Sequence, residues 1–561
     1  MFADRNILLI TLTILTSIFY SCKSKHAADT PQIIETPEKM DEHVSENIKD
    51  VLLYAADHSG KINDTIQLFA TPFVDSFYKE NNYKNVWSKS EVWDDMADSL
   101  FSFIKQSEEY GLFPGDYHVA DITSLKHKLS DSIAKTDANL WTQADIIFTD
   151  AFMQISRHLK WGRLLPDTIS LMHKNYYTSN FFVNKLNAAF KTGQLTNVFT
   201  SLEPDHIGYL HLRRGIKSFI DSMDKKRYTY IVYQKKDSMA LIKNLQKRLG
   251  EEGYLEPQFS MYDSLKLADA IKKFQKKKNI KQDGKISTSL ASYLNNNDRE
   301  TFKKIAINLD RYKQLPDNLP QKYIWVNLPG YYLQVWRSDT IVFESKVIIG
   351  KPGTRTPLLT SAITDMVTYP QWTIPNSIIK KDILPAMKRD PGYLARKGFN
   401  LVSEKGETID PYSINWQKYS KGIPFKIVQG SGDDNALGIF KFNFNNPYSV
   451  YLHDTNQRYL FKNTQRALSH GCVRVQDWQT LAFFIAANDS IMKKENASIN
   501  YNSDSIKVWL ANKVRKRIIV KNHLSLYIRY FTCQGKKGKI IFYDDVYGED
   551  RILKEKYFAN K

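Results

Sequence analysis

The sequence predicts a multidomain α+β protein in which two helical regions precede a β-rich domain that carries an insertion. A chain of 561 residues is too long for one ordinary hydrophobic core. Up to about residue 295, apolar residues recur three and four positions apart, which indicates helices. From Lys322 onward, short runs of aromatic and β-branched residues alternate with turns, which indicates strands.

The composition is that of a globular chain, with 42% hydrophobic and 25% charged residues. The formal net charge of +19 favours an anionic partner. Lysine and arginine are scattered along the whole chain, however, and no zinc-finger spacing, RNA-binding signature or phosphate-binding loop occurs. We therefore expect no nucleic-acid partner.

Residues 1–21 predict a signal peptide, with Arg5 near the start and an apolar run over residues 7–20. The run is shorter than the roughly 20 residues of a spanning helix. Residues 18–22 resemble a bacterial lipobox, and this resemblance implies that Cys22 becomes the lipid-bearing first residue of a membrane-anchored periplasmic lipoprotein. A plain signal peptide with an incidental cysteine is the alternative. We interpret residues 22–65 as a lipid-anchored tether, because residues 23–48 lack an apolar period.

Residues 66–235 predict a helical scaffold domain, with clear helical periods over 93–106 and 144–161. The region has no cluster of nucleophile, base and orienting group, so we expect a structural role. His118 and His158 are interpreted as packed side chains.

Residues 236–300 predict a second helical unit, in which Leu241, Leu245 and Leu249 recur at every fourth position. Together with a second stripe around Phe274, this pattern resembles the small three-helix peptidoglycan-binding domain. The resemblance implies a wall-binding unit, although Ser287 stands where glycine is usual in that family.

Residues 320–515 predict the β-rich domain. Within it, residues 372–435 combine a helical segment with a polar, aromatic loop that is too long for a hairpin connection. We interpret this insertion as a lid over a site. Residues 516–561 are expected to add strands that complete either the scaffold or the β-rich domain.

The candidate chemistry lies in residues 448–474. His453 is expected at the end of a strand, and Cys472 directly follows Gly471. A cysteine attacks as thiolate, and an ordinary pKa of about 8.5 leaves little thiolate at neutral pH, so a neighbouring imidazole is needed. His453 and His470 are both in reach. The amides of Gly471 and Cys472 can stabilise an oxyanion.

The cysteines also allow structural interpretations. Cys472 could be a small buried side chain, and Cys533 is most simply a packing residue. The three cysteines lack metal-ligand spacing, and no histidine pair four positions apart encloses a carboxylate. We therefore expect no metal and no cofactor.

The run Ser469-His470-Gly471-Cys472-Val473-Arg474, with His453 located 19 positions before Cys472, resembles the active-site signature of the YkuD-type L,D-transpeptidases. Similarity extends to Gln429-Gly430, to residues 435–438 and to residues 547–550. The large members of that family also have a helical scaffold, a wall-binding unit and a long insertion.

In those enzymes the cysteine attacks the carbonyl before the terminal D-alanine of a tetrapeptide stem, and the acyl group passes to an amine on another stem. The resemblance implies that Cys472 is the nucleophile and His453 the base. It also implies that an oxyanion and substrate pocket is shaped by Ser469, His470, Gly471, Arg474 and Thr455. His470 is the lesser candidate for the base, because a residue two positions away in a tight turn rarely faces the sulfur.

The expected partners are peptidoglycan stem peptides and glycan, the membrane through the lipid anchor, and other cell-wall enzymes. Two alternatives stay open. One is an L,D-carboxypeptidase that trims tetrapeptide stems, and the other is a non-catalytic peptidoglycan-binding lipoprotein.

Overall fold

The computed structural model describes residues 31–165, 178–233, 238–256, 264–491 and 500–558. The signal peptide and Cys22 lie outside these ranges. In the described parts of the chain, no helix has the length and apolar character needed to cross a bilayer. The chain divides into two compact units. The first comprises residues 1–104, 115–155 and 177–195, and the second comprises residues 105–114, 156–176 and 196–561.

The first unit is mainly helical, as the periodicity predicts. Its elements, two of which continue into segments assigned to the second unit, are α1 Pro37–Asp57, α2 Thr71–Glu80, β1 Ser88–Lys89, β2 Val92–Trp93, α3 Asp95–Gln106, α4 Val119–Lys128, α5 Ala138–Trp161 and α6 Ser179–Thr192.

The tether predicted over residues 22–65 is wrong for α1, which is a helix of 21 residues. Pro37 occupies its first turn, where proline is tolerated because the missing N–H has no helical acceptor. Met40, Val44, Ile48 and Val51 are buried. These apolar residues recur every three or four positions between charged ones, so the period existed and was hidden by the charges.

The core of the first unit contains satisfied polar groups. Asp145 accepts hydrogen bonds from the Tyr78 hydroxyl (2.6 Å) and the Trp87 amide (2.8 Å). His118 Nε2 lies 2.8 Å from Asp150. Burial alone would lower the pKa of His118, but its hydrogen bonds to Asp121 and Asp150 raise that pKa to about 9. His118 is therefore a buried structural cation and not a catalytic base.

The helices of the second unit are α7 Leu195–Thr200, α8 Ile207–Ser222, α9 Ser238–Glu251, α10 Ser264–Lys277, α11 Thr288–Leu294 and α12 Asp298–Lys313. Helices α9 to α11 enclose a separate core that includes Leu245, Leu249 and Phe274. The side chain of Ser287 accepts a hydrogen bond from the Leu290 amide (3.1 Å), so this serine is the N-cap of α11.

The remaining elements form and surround the β-rich domain. They are β3 Lys322–Asn327, β4 Tyr332–Arg337, β5 Thr340–Gly350, β6 Leu359–Thr368, β7 Trp372–Thr373, α13 Asn376–Ile378, a π-helical turn Ile379–Ile383, α14 Leu384–Arg389, α15 Tyr393–Arg396, β8 Phe399–Val402, β9 Lys426–Gln429, β10 Phe440–Phe444, β11 Leu452–His453, β12 Ala467–Ser469, β13 Val473–Val475, α16 Trp478–Ser490, α17 Ser503–Ala511, β14 Lys516–Ile519, β15 Ser525–Arg529, β16 Cys533–Lys536, β17 Lys539–Phe542 and α18 Glu549–Tyr557.

The main sheet of the domain closes on itself. Its strand order is β10-β11-β13-β5-β4-β3-β15-β6-β14, and β10 also pairs with β6. The core on one face of this sheet includes Ile324, Val347, Phe442, Leu452 and Val473. The predicted α+β architecture, helical regions followed by a β-rich domain, is confirmed.

The predicted lid is a small folded insertion. Its strands form a three-stranded sheet of order β7-β9-β8. Ile383, Met387, Leu401 and Trp416 belong to a core of its own. The π-helical turn interrupts the helical segment predicted within this insertion.

The C-terminal segment packs on two parts of the second unit. Strands β14 and β15 join the main sheet, whereas the β16–β17 hairpin packs on α8. A Cβ atom at Gly535 would collide with the backbone at His211 and Leu212, so glycine permits this close approach.

Candidate active site

The sheet register places the candidate catalytic residues on one face. Strands β11 and β13 are parallel, with Leu452 beside Val473 and His453 beside Arg474. Because successive side chains alternate between faces, Leu452 and Val473 enter the core while Tyr451, His453, Cys472 and Arg474 face the other way. These four side chains all line one cleft. His453 and Cys472 are diagonal neighbours on this face, because His453 is paired with Arg474 and Cys472 lies two positions before Arg474.

The cleft has a volume of about 440 Å³ and lies between the main sheet and the lid. Trp372, Asn376 and Ile378 of the lid line one side. The structure thus places the insertion beside the cysteine, as a lid requires.

The turn that carries Cys472 is held by its own hydrogen bonds. Ser469 Oγ donates to the Cys472 carbonyl oxygen (2.6 Å), and the Gly471 amide donates to Ser469 Oγ (3.1 Å). Gly471 has a φ of +126°, which favours glycine. In this conformation the Gly471 N–H is engaged by Ser469 Oγ, so the prediction that it donates to an oxyanion requires this bond to be exchanged. The Cys472 amide is the remaining member of the predicted pair.

Two residues for which the sequence predicted no such role, Thr356 and Tyr547, support this turn. Thr356 Oγ1 donates to the Gly471 carbonyl oxygen (2.8 Å) and accepts from the Gly350 amide (2.9 Å). The Tyr547 hydroxyl donates to the Gly350 carbonyl oxygen (2.7 Å) and accepts from the Thr356 amide (3.1 Å). The C-terminal segment thereby fixes the loop beneath the cysteine.

The residues after His453 are buried behind the cleft. Asp454 accepts from the Ile439 amide (3.1 Å) and pairs with Arg458 (2.6 Å). Thr455 is fully buried, and its hydroxyl accepts from the Gln457 amide (3.1 Å). Thr455 is not among the residues that line the cleft. The structure thus does not bring Thr455 to the cleft with the other predicted site residues, and its hydroxyl stabilises the turn after β11.

Residues 435–438 shape the floor next to His453. Asn435 donates to the Gly430 carbonyl oxygen (2.7 Å) and accepts from the Leu437 amide (2.8 Å). Gly438 has a φ of +63°, and a Cβ there would lie 2.6 Å from the Thr455 amide nitrogen. Glycine fits at position 438 because it has no Cβ, and the backbone there lies close to the backbone of Thr455.

The other two predicted pocket residues have defined partners. His470 Nε2 lies 2.7 Å from Asp382, which belongs to the π-helical turn of the lid. Arg474 donates through Nη1 to the Gln457 side-chain oxygen (3.0 Å). His470 is thus directed to the lid.

Burial controls the electrostatics of the pair. It raises the pKa of the Cys472 thiol, whereas hydrogen bonds from Tyr451 and the charges of Lys441 and Arg474 act in the opposite direction. Burial, together with the charge of Arg474, lowers the pKa of His453 to about 3. At neutral pH the imidazole of His453 in the resting site is therefore neutral. In the described part of the chain, no group of three His, Cys, Asp or Glu side chains could hold a metal ion.

Comparison with known proteins assigns three segments to families. Residues 321–493 match the YkuD family, described as "L,D-transpeptidase catalytic domain". Residues 238–292 match a "Putative peptidoglycan binding domain", and residues 72–215 match a "Scaffold domain".

The relatives cover part of the chain. A Haemophilus influenzae protein named "Putative L,D-transpeptidase" is 35% identical over 251 residues, which are 45% of this chain and 49% of that protein. The chain thus spans about half the length of this curated relative. It is also similar to the Ldtfm–avibactam carbamoyl enzyme and to a cysteine-to-serine mutant of an Enterococcus faecium L,D-transpeptidase, at 10% and 11% identity. Each alignment covers 38% of this chain and 51% or 52% of the other, with a TM-score of 0.16. From the family matches, residues 321–493 are an L,D-transpeptidase catalytic domain of the YkuD type, joined in one polypeptide to a scaffold domain and a peptidoglycan-binding domain.

Proposed function

We propose that the protein is a cysteine-dependent L,D-transpeptidase that cross-links peptidoglycan stem peptides. The supporting observation is that Cys472 and His453 share one sheet face and one cleft within a YkuD-type domain. A nucleophile and a base that face the same cleft are the minimum that acyl transfer requires.

In the first half-reaction His453 takes the thiol proton, and the Cys472 sulfur attacks the carbonyl before the terminal D-alanine. The C–S bond forms, and negative charge develops on the carbonyl oxygen, where the Cys472 amide can donate. The intermediate then collapses: the C–N bond breaks, and D-alanine leaves with the proton from His453. The product is a thioester acyl-enzyme.

In the second half-reaction an amine of another stem attacks the thioester and gives a proton to neutral His453. The new C–N bond forms, the C–S bond breaks, and the thiolate of Cys472 recovers its proton. If water attacks instead, the same steps release a tripeptide stem, which is the L,D-carboxypeptidase alternative. The acceptor alone distinguishes the two activities.

The accompanying domains support a location in the cell wall. A peptidoglycan-binding domain would keep the enzyme on its polymeric substrate. Lipidation of Cys22 would anchor the protein on the periplasmic side of a membrane, near other cell-wall enzymes that act on the same polymer. Replacing Cys22 by alanine should move the protein from the membrane fraction to the soluble fraction, and unchanged partitioning would argue against the lipid anchor.

The test of the activity uses Cys472→Ala, with Cys533→Ala as the control for a buried cysteine outside the cleft. Each protein is incubated with disaccharide tetrapeptides, and the products are identified by mass spectrometry. Wild type and Cys533→Ala should give cross-linked dimers and free D-alanine, and Cys472→Ala should give neither. Tripeptides without dimers would indicate the carboxypeptidase.

Covalent labelling by a carbapenem tests the nucleophile separately, since the family resemblance implies that this class of β-lactam acylates the enzyme. Labelling should disappear in Cys472→Ala, and an adduct on another residue would refute the assignment. His453→Ala should retain the thiol but slow acylation by about 10² to 10⁴, the usual contribution of a positioned base. An unchanged rate would transfer the role to His470.

A further inference from the structure

We infer that Lys441 is a positioning residue that supplies the counter-charge for the Cys472 thiolate from behind the cleft. The inference rests on the proposed role of Cys472 as the nucleophile. It gives a function to a lysine that lies outside the Ser-His-Gly-Cys run and that the mechanism above does not use.

The sheet brings Lys441 to the cysteine face. Strands β10 and β11 are antiparallel, and Lys441 lies directly opposite His453. Its neighbours Phe440 and Phe442 enter the core, so Lys441 shares the face of His453 and Tyr451. Lys441 Nζ lies 4.0 Å from the centroid of the Tyr451 ring, a cation–π contact. The ammonium is therefore held against the side chain that hydrogen-bonds to the Cys472 sulfur.

The ammonium is half-buried and lacks a carboxylate counter-ion. Among the described residues, no Asp or Glu oxygen lies within the 4.0 Å of a salt bridge from Lys441. The carboxylate of Asp365 interacts electrostatically with Lys441. That carboxylate is already paired with Arg517 (3.2 Å), and it accepts a hydrogen bond from Asn443 (2.7 Å). A partly desolvated cation without a partner is costly unless an anion can form beside it. The Cys472 thiolate is such an anion.

The groups around Cys472 leave few other sources of positive charge. Tyr451, directly before β11, donates hydrogen bonds to the sulfur, and His453 on β11 is neutral at rest. In the turn, His470 is engaged by Asp382 of the lid. On β13, Arg474 is cationic, and its Nη1 is directed to the Gln457 side chain.

Lys441 and Arg474 are therefore the two cations whose fields favour the thiolate. Arg474 lines the cleft itself, where substrate would contact it, whereas Lys441 does not. Lys441 can stabilise the sulfur anion during acylation and again during thioester breakdown without contacting substrate. Burial lowers the pKa of Lys441, and the charges of Cys472 and Asp365 act in the opposite direction.

The test compares Lys441→Met and Lys441→Arg with wild type. Lys516→Met is the matched control, because Lys516 lies in the same sheet with its Nζ 5.8 Å from the Trp509 ring but away from the cleft. The full-length protein is alkylated with iodoacetamide between pH 5 and pH 10, and modification of Cys472 is followed by mass spectrometry. Thermal melting of each variant verifies folding.

Lys441→Met should move the midpoint of Cys472 alkylation upward by about one pH unit, the effect of removing one nearby opposite charge. Lys441→Arg and Lys516→Met should retain the wild-type midpoint. An unchanged midpoint in folded Lys441→Met would overturn the inference and leave Lys441 as a packing residue. If the methionine variant does not fold, Lys441→Gln replaces it, with the same two outcomes.

This measurement is independent of turnover, because alkylation needs only the thiol. If Cys472→Ala still cross-linked stems, the proposed function would fail while the alkylation result stood. If Cys472→Ala were inactive and Lys441→Met had a normal midpoint, the proposed function would stand and the role of Lys441 would fail.

Discussion

The Tyr547 hydroxyl connects the end of the chain to the turn that carries Cys472, and Tyr547→Phe removes that connection with almost no change in volume. The substitution leaves the Gly350 carbonyl and the Thr356 amide without their hydrogen-bond partner. Each unpaired buried group costs about 1–3 kcal/mol, so unfolding of the domain should become easier by about 2–6 kcal/mol.

The effect should reach the chemistry because Thr356 also holds the Gly471 carbonyl. A displacement of about 1 Å in a reacting group can reduce a rate by about 10². We therefore expect carbapenem acylation of Tyr547→Phe to slow by about 10-fold to 10²-fold.

Stopped-flow acylation and urea unfolding measure the two effects. Tyr459→Phe is the control, since Tyr459 is 65% exposed and should tolerate the change. Wild-type stability and acylation in Tyr547→Phe would refute the idea that the C-terminal segment supports the active-site turn.

Three further substitutions test other features. Gly438→Ala places a Cβ against Asp454 and the Thr455 amide at a positive φ, so urea unfolding should show a loss of about 1–3 kcal/mol; wild-type stability would contradict the close approach. The pKa of His453 is about 3 in the folded protein and about 6.5 in the unfolded chain, so protons favour the unfolded state. The free energy of unfolding should therefore fall as the pH drops from about 6.5 towards 3, by about 2 kcal/mol at pH 5. The His453→Gln variant should lose less stability at acid pH than wild type. An equal loss would show that the pH dependence comes from another group. The pH dependence of stability that arises from His118 has the opposite sign. Its pKa of about 9 in the folded protein contributes about 3 kcal/mol to the free energy of unfolding at pH 6, and this contribution is lost as the pH rises through 9. A His118→Gln variant with the wild-type pH profile would disprove that contribution.

Local patterns in the sequence predicted most of the elements and the centre of the site. The aromatic and β-branched runs after Lys322 became β3 to β5, and the leucine stripe beginning at Leu241 became the core of the three-helix unit. The run around Cys472 and the position of His453 identified the two residues that face the cleft. Each of these signals is carried by residues close together in the chain, where side-chain alternation and helical period operate.

The missed features depend on distant contacts. Tyr547 and Gly350 are 197 positions apart, and Lys441 reaches the cysteine only because β10 pairs with β11. Neither residue type nor spacing indicates such a contact. The use of the Gly471 amide by Ser469 is different, because a serine hydroxyl two positions before an amide commonly binds it. That local bond could have been anticipated.

The closed sheet has a consequence for the timing of enzyme maturation. Strand β15 lies between β3 and β6, and Tyr547 follows it before the loop beneath Cys472 is fixed. A chain still being synthesised already contains the complete Ser-His-Gly-Cys run, yet it lacks the pieces that hold that run in shape. The turn that carries Cys472 therefore gains its full set of supporting hydrogen bonds only after Tyr547 has reached Gly350 and Thr356.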